Sequence, residues 1–589
     1  MAAVHPNLYH RSRRLQSHIV HVANLSSAAE HIGARSIMDR RVFLKATSAA
    51  GALAWLAPRH LTAQTSTVSN SYVSSVLFIV DPALTGLSQA DRDILFRINS
   101  AANPAQQAAI YPQSVASGDP RPDGIVLWTR VEPTVQGSPS NDMLAWQISS
   151  DPNFAAASIL VEGVAILSRD KDSTVKFSVA NSVLKPFTNF YFRFLYNQVP
   201  SRTGRFKTLP LATASLAQLK LGQIVCQDFG NGFYNALDFL AQEEVDFVVH
   251  LGDYIYETIA SANFQSNPVR SVPPFPTGGV TPQNLDDYRH LYKVYRSDPN
   301  QQAVHERFSY ILLWDDHEFA NDCHGDFHPD NNTAPNTSST PQPALRQAAN
   351  QAWSEFGLAD TPFNPNAGWE SSIQLYRTFS FGTLAQLIVT DERLYRDGPP
   401  CGSNLIGQRY FSPGCGEMEN KNRTMLGLTQ RQWFINQLTS TRATWKLWAN
   451  EVMLMQLKLA LLYIDLDQWD GYQEERNLIL NAVKHGNIKN FVALTGDLHT
   501  FLAGYLKPTS IIRLRPPSAS SSWSAQSPPP TSPRRSTPLS LSPPAPFPPS
   551  RCASPLTSSR TSSPPPTRGS SSGTPPPTAT PSSPSPPPS

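Results

Sequence analysis

The sequence predicts an α/β protein, a layered β-sandwich flanked by helices, preceded by a small all-β domain and followed by a disordered tail. Three observations predict it. From residue 219 onward, strand-like and helix-like stretches alternate, which is the pattern of a layered α/β domain. Within that region three apolar, strand-like runs, 245–249, 310–313 and 491–494, each end in acids and histidines. Between 111 and 208, short alternating strands are separated by Pro, Gly, Asn and Asp turns, as in a small sandwich.

Taken in order, residues 1–63 read as an N-terminal extension carrying an export signal. Asp39-Arg40-Arg41-Val42-Phe43-Leu44-Lys45 precedes the mildly apolar stretch 46–57. Paired arginines, then Phe-Leu-Lys, then a short hydrophobic run resemble a twin-arginine signal. That run is too short to span a bilayer comfortably. Leu61-Thr62-Ala63 offers an imperfect cleavage site, and Met38 is an alternative start. The expected location is therefore periplasmic, cell-wall associated or secreted, reached through the twin-arginine export machinery. Residues 64–110 form a connecting arm with helix over 90–102. Residues 111–208 are the sandwich, and Leu184-Lys185-Pro186-Phe187-Thr188-Asn189-Phe190-Tyr191 resembles the tyrosine-corner region of fibronectin-like domains.

The second domain is expected over 219–507. Strands are read at 221–225, 245–250, 384–390 and from 445, and helices at 232–244, 286–296, 342–356, 430–438 and 477–485. The polar loops 263–283 and 322–341 lie near the acidic motifs, where specificity loops would sit. Cys401 and Cys415 bracket a Gly/Pro/Ser-rich loop and suit a disulfide in an oxidising compartment.

Charge narrows the function. The formal net charge of the 589 residues is +3. That sum hides an acidic body: residues 64–497 carry 32 basic against 43 acidic residues. A body of that sign argues against specific nucleic-acid binding through backbone neutralisation. A small anionic substrate remains compatible, because bound cations reverse the local field. No GxxxxGK[ST] phosphate loop occurs, which argues against a nucleotide-driven motor or kinase.

After Lys507 the composition changes. Of 53 prolines, 25 fall in 508–589, a stretch without a single acid that cannot bury a core. Two readings stand: a Ser/Thr/Pro stalk, or a reading-frame error. The second is favoured. With permitted codons, Ser518 to Ser527 read two bases later gives GVEFVERTVTS, a strand running into a polar turn. The stalk reading goes with a surface-anchored binding protein, and the frame error with an inactive product.

The chemistry sits at the strand ends. His250-Leu251-Gly252-Asp253-Tyr254-Ile255-Tyr256-Glu257, Trp314-Asp315-Asp316-His317-Glu318 and Leu494-Thr495-Gly496-Asp497-Leu498-His499-Thr500 each place carboxylates or imidazoles where a buried strand fixes their direction. Three such ends suggest one shared metal site at a sheet edge.

With Cys226-Gln227, Val115-Ala116-Ser117-Gly118-Asp119-Pro120 and Trp128-Thr129-Arg130, these motifs occur in the order and context of PhoD-type alkaline phosphatase/phosphodiesterases, which belong with the calcineurin-like metallophosphoesterases. The resemblance covers about residues 111–507. It implies hydrolysis of phosphate mono- or diesters by a metal-activated water, with iron (Fe3+) and calcium as cofactors. It implies that Asp253 bridges the metals, that Tyr256 binds iron as phenolate, and that Cys226 supplies a thiolate where relatives often carry an aspartate. Asp316 and Asp497 would serve calcium, His499 an adjacent metal, and His317 the phosphate or the leaving oxygen. Asn450 is a further candidate calcium ligand, and Arg289 and Arg393 are candidate phosphate binders. For each of these three an ordinary structural role competes. A monomer is expected.

Overall fold

The computed structural model describes residues 88–508, apart from 136–141, 262–264, 266, 330–340 and 403–405. It also describes two earlier strands, β1 (His21–Ser26) and β2 (Leu77–Val80). The export-signal segment 39–57 and the tail 509–589 lie outside the described residues. Among the described residues no helix is long and apolar enough to cross a membrane.

Of the helix expected over 90–102 only the first part forms, as α1 (Gln89–Leu95), and a second short helix, α2 (Pro104–Ile110), lies beyond that range. Ser88 and Asn103 each close a capping box, and Asn103 with Pro104 starts the second helix. Eight strands follow: β3 (Val115–Arg121), β4 (Gly124–Arg130), β5 (Met143–Ser149), β6 (Ile159–Ile166), β7 (Thr174–Ala180), β8 (Asn189–Tyr196), β9 (Val199–Pro200) and β10 (Gly204–Lys207).

The α/β part contains β11 (Gln218–Ile224), α3 (Asn235–Gln242), β12 (Phe247–Leu251), α4 (Leu285–Tyr295), α5 (Pro299–Arg307) and β13 (Ser309–Leu313). Next come α6 (Pro343–Phe356), β14 (Arg377–Phe381), β15 (Ala385–Val389), α7 (Ile406–Arg409) and β16 (Tyr410–Ser412). The series ends with α8 (Leu428–Ser440), β17 (Trp445–Ala449), β18 (Lys458–Leu459), β19 (Leu462–Asp465), α9 (Gln473–His485) and β20 (Phe491–Leu494).

Four layers result. One sheet runs β1-β11-β12-β13-β3-β4-β7 and a second runs β14-β15-β17-β20. Alternation assigns the faces. Phe247, Val249, Leu251, Ile311 and Leu313 point from the first sheet into a core shared with Phe379, Phe381, Leu387, Val389 and Leu447 of the second. Val248, Tyr310 and Leu312 point the other way, under α4, α5 and α6. On the far side, Ile388, Trp448 and Phe491 pack beneath α8 and α9.

The sandwich at 111–208 is not closed off from the α/β part. β3 pairs in parallel with β13, Ser309 opposite Ser117 and Tyr310 opposite Gly118, so β3, β4 and β7 extend the first sheet. The burial pattern explains this. All seven residues of β4 are buried, because its two faces serve two cores. Ile125 and Leu127 face β5, β6 and β8, whereas Trp128 faces Phe356 of α6. Gly118 allows the close approach, since a Cβ there would lie 2.0 Å from the Leu358 carbonyl oxygen.

The parallel strands β11, β12, β13, β15, β17 and β20 all end at one edge. Loops beyond carboxyl ends of parallel strands are where α/β sheets build their sites.

Candidate metal centre

Strand β11 ends into Cys226, β12 into Gly252 and Asp253, and the segment after β20 into Asp497. The backbone leaves the ladder abruptly at each: φ is +54° at Cys226, +98° at Gly252, +55° at Asp253 and +60° at Asp497. Left-handed backbone at non-glycine residues is uncommon and concentrates at functional sites. Gly252 is required as glycine, because a Cβ would stand 2.4 Å from that of Asp315. Main-chain bonds carry the pairing into the loops: Cys226 N–H donates to the Gly252 carbonyl (3.3 Å) and Gln227 N–H to that of Asp253 (3.0 Å).

These turns aim the side chains at one another. The ligand-type atoms of Cys226, Asp253 and His499 lie within 4.8 Å of each other, as do those of Asp253, Asp316 and His317. Asp315, Asp316 and Asp497 form a third such group, and Asp316, Asp322 and Asp467 a fourth. Asp253 and Asp316 are shared between groups, which makes the acids one continuous cluster. The Tyr256 hydroxyl donates to Asp253 Oδ2 (3.2 Å) and lies 2.9 Å from His499 Nε2, while its ring stacks on His317 with centroids 4.0 Å apart. Asp497 and His499 do not share a strand face. β20 has already ended, and tight turns leave Asp497 partly covered and His499 at the exposed rim.

The cluster is short of positive charge. Burial, and then the anions around them, push the Cys226 thiol and the Tyr256 phenol well above their ordinary ranges. Asp497 is pushed up to about 6 by burial, against the pull of Arg393. Asp253 Oδ1 and Asp315 Oδ2 are buried with no hydrogen-bond partner. Orphaned buried carboxylate oxygens beside a thiol, a phenol and an imidazole fit cations, which would satisfy them and offset the crowded charge. The mixed S, O and N donor set suits a transition metal at the Cys226 end, and the all-carboxylate end suits a hard cation.

His317 differs from the other histidines. Its Nδ1 lies 2.6 Å from Glu257 Oε2, and both side chains are buried. Burial alone would lower its pKa, but Glu257, Asp316 and Asp253 outweigh that and hold the imidazole well above its usual range.

Three further candidates, Arg289, Asn450 and Arg393, are held by partners within the protein. Arg289 does not reach the cluster. On α4 it is clamped by Glu355 of α6, Nε to Oε2 at 2.7 Å and Nη2 to Oε1 at 2.8 Å, and it donates to the Asp170 carbonyl. Asn450 is buried with both ends of its amide engaged: Oδ1 accepts from the Trp469 indole (2.8 Å), and Nδ2 donates to the Val452 carbonyl. Arg393 does lie in the cluster but is fully buried. It pairs with Asp315, with Asp467 at 2.5 Å and with Asp497 at 2.7 Å. With Nε, Nη1 and Nη2 all engaged, it orients carboxylates and leaves no free fork for a phosphate.

Several participants were not read as such from the sequence. Glu257, Asp315 and Glu318 lie inside the strand-end motifs, where the sequence assigns them no role. Asp467 is held by Arg393 and Arg396, and Asp322 by Arg409 and the Tyr410 hydroxyl. Asp322 lies shortly after the second motif, beyond Phe319-Ala320-Asn321, but Asp467 had only the acidic run Asp465-Leu466-Asp467 as a signal. Cys401 and Cys415 form a disulfide whose loop includes Arg409 and Tyr410.

Comparison with known proteins agrees with this geometry. Residues 221–537 match the model of the family described as PhoD-like phosphatase, and residues 97–210 match that of the PhoD-like phosphatase N-terminal domain. Alkaline phosphatase D of Bacillus subtilis (strain 168) is 33% identical over 447 residues, which cover 72% of this chain and 69% of that protein. A solved structure of PhoD superposes with a TM-score of 0.58 at 31% identity, covering 68% of this chain and 73% of the other. On the strand-end acids, the shared sheet and these matches together, the chain belongs to the PhoD-like phosphatase family.

Proposed function

We propose that this chain is a secreted, metal-dependent phosphoester hydrolase that acts on small phosphate mono- and diesters, with iron and calcium as its cofactors. The observation that carries the reading is the convergence of Cys226, Asp253, Tyr256, Asp316, Asp497 and His499 on one cluster with orphaned carboxylate oxygens, in a chain of this family. Cys226, Asp253, Tyr256 and His499 would hold iron; Asp316 and Asp497, with Asp253 shared, would hold calcium. Bound there, the metals supply Lewis acidity, which lowers the pKa of a water and offsets the charge of the ester.

The chain's own part is orientation and proton transfer. Arg393 spreads three of its nitrogens over Asp315, Asp467 and Asp497 and keeps their oxygens apart. His317, aligned by Glu257 and held cationic, protonates the leaving oxygen. Tyr256 braces the His317 ring from one face.

Finer expectations belong to the same reading. Export by the twin-arginine route rests on Arg40-Arg41-Val42-Phe43-Leu44, a monomeric state is retained, and the fibronectin-like character of 111–208 rests on the 184–191 segment. The test is elemental analysis of the purified chain together with hydrolysis of one model monoester and one model diester. Iron and calcium in the protein with turnover of either ester are expected. No turnover of either, with both metals supplied, overturns the reading.

A further inference from the structure

Glu318 takes no part in the chemistry above, yet its carboxylate joins the two loops that carry it. The side chain is buried. Oε2 accepts main-chain N–H bonds from Asp253 (3.0 Å) and Asp315 (2.7 Å), and Oε1 accepts one from Tyr254 (2.6 Å). Asp253 and Tyr254 follow β12, whereas Asp315 follows β13. Beyond the strand ends no ladder sets the distance between these loops, and Asp253 leaves β12 in the left-handed region. Its carbonyl is already held by Gln227 N–H on the β11 side. Glu318 completes the restraint on the β13 side.

We propose that Glu318 is a positioning residue: its carboxylate sets the separation of Asp253 from Asp316, and through it the spacing of the cations they hold. The proposal rests on the reading of Asp253 and Asp316 as metal ligands. Both oxygens must accept, because all three groups facing them are N–H donors. A glutamine fills almost the same volume but turns one acceptor into a donor. It can serve Asp253 and Asp315, or Tyr254, but not all three. With its nitrogen turned to Tyr254, two donors face each other and push the β12 exit away; with its nitrogen turned to Asp253 and Asp315, it frees the bond that joins the loops, so in either setting the ligands lose their fixed distance. Partners that orient metal ligands typically contribute roughly 10–100-fold to metal affinity.

The experiment compares the full chain with Glu318→Gln and Glu475→Gln. Glu475 is also buried and accepts N–H bonds from Met425 and Leu426, but it lies outside the cluster. Hydrogen exchange is read by mass spectrometry on the metal-free proteins, and affinity by titration with ferric ion alone. In Glu318→Gln, peptides spanning 250–257 and 313–318 should exchange faster together, and ferric affinity should fall at least tenfold. Glu475→Gln should lose thermal stability while keeping both. A purely structural Glu318 would make the two variants alike; unchanged exchange in both loops, or affinity within twofold of wild type, overturns the proposal. A wild-type chain that takes up no ferric ion would sink the metal reading instead, and the exchange arm would still decide whether Glu318 ties the loops. If Glu318→Gln does not fold, Glu318→Asp keeps the charge but shortens the reach by about one methylene, and the same paired exchange is expected.

Discussion

Asp253 and His317 stand side by side in the cluster but should fail differently when removed. Asp253 offers an unpartnered buried oxygen and belongs to two of the four metal-capable groups, so Asp253→Ala should lose metal and activity together. His317 is held by Glu257 and stacked on Tyr256, so His317→Ala should keep the metals and lose on the order of 100-fold in kcat. Elemental analysis beside kinetics separates the two, and loss of iron in His317→Ala would move that residue into the ligand set. Cys226, Asp253, Tyr256, Asp316, Asp497 and His499 were legible because each ends or follows an apolar run, a purely local signal. Arg393 was legible both as a phosphate binder and as a salt-bridge partner, and the sequence did not choose between them. Arginine beside a phosphate and arginine among carboxylates look alike in sequence, and only burial with three nitrogens engaged distinguishes them. The partners of Arg289 and Asn450, Glu355 and Trp469, were not legible, because they are distant in the chain or lie in another element.

At the scale of an element, β12 and its exit turn carry the most stringent requirement. Gly252 has φ +98° and packs against Asp315 with no room for a Cβ. Gly252→Ala should lower stability by roughly 2 kcal/mol or more, from strain and overlap combined. It should also weaken metal uptake, because relief can come only from moving Asp253 away from Asp315. Urea unfolding with metal analysis checks both. A fully stable variant with normal metal content would remove the close approach from the argument. Most elements were readable from period and punctuation: α4, α6 and α9 each lie within a few residues of expectation. The three-stranded sheet β16-β19-β18 was not, because its strands have only two to four residues and carry almost no periodic signal.

At the scale of the whole molecule, buried neutral histidines contribute a stability that is lost toward acid pH. His250 is buried with Nε2 3.2 Å from Gln227 Oε1, and burial lowers its pKa to about 3. His305, also buried, is lowered well below its ordinary value. In the unfolded chain such imidazoles take up a proton near 6.5; in the folded chain His250 does so only near 3. Over that interval the unfolded state binds the extra proton, so stability falls as pH falls, by up to ~1.4 kcal/mol per pH unit for each histidine. Relative to His250→Gln, the unfolding free energy of the wild type should therefore decline from pH 6.5 toward pH 4, as this one histidine's contribution is lost. Equal slopes in the two proteins would remove His250 from this loss.

The sequence by itself determined that this chain is a layered α/β protein with an all-β region before it. It also determined that strand-end acids form a metal-capable site and that the family is the one the comparisons found. Those features are local: apolar alternation, turn residues and short motifs are written within a few positions of one another. Only the tertiary structure decided that β3 and β4 extend the first sheet through β13, that Asp322 and Asp467 join the acids, and that Arg393 lies buried among them. It alone shows Glu318 binding two loops at once. Each of these depends on which distant segments meet and on which side chains burial deprives of water, so no window of the sequence contains them.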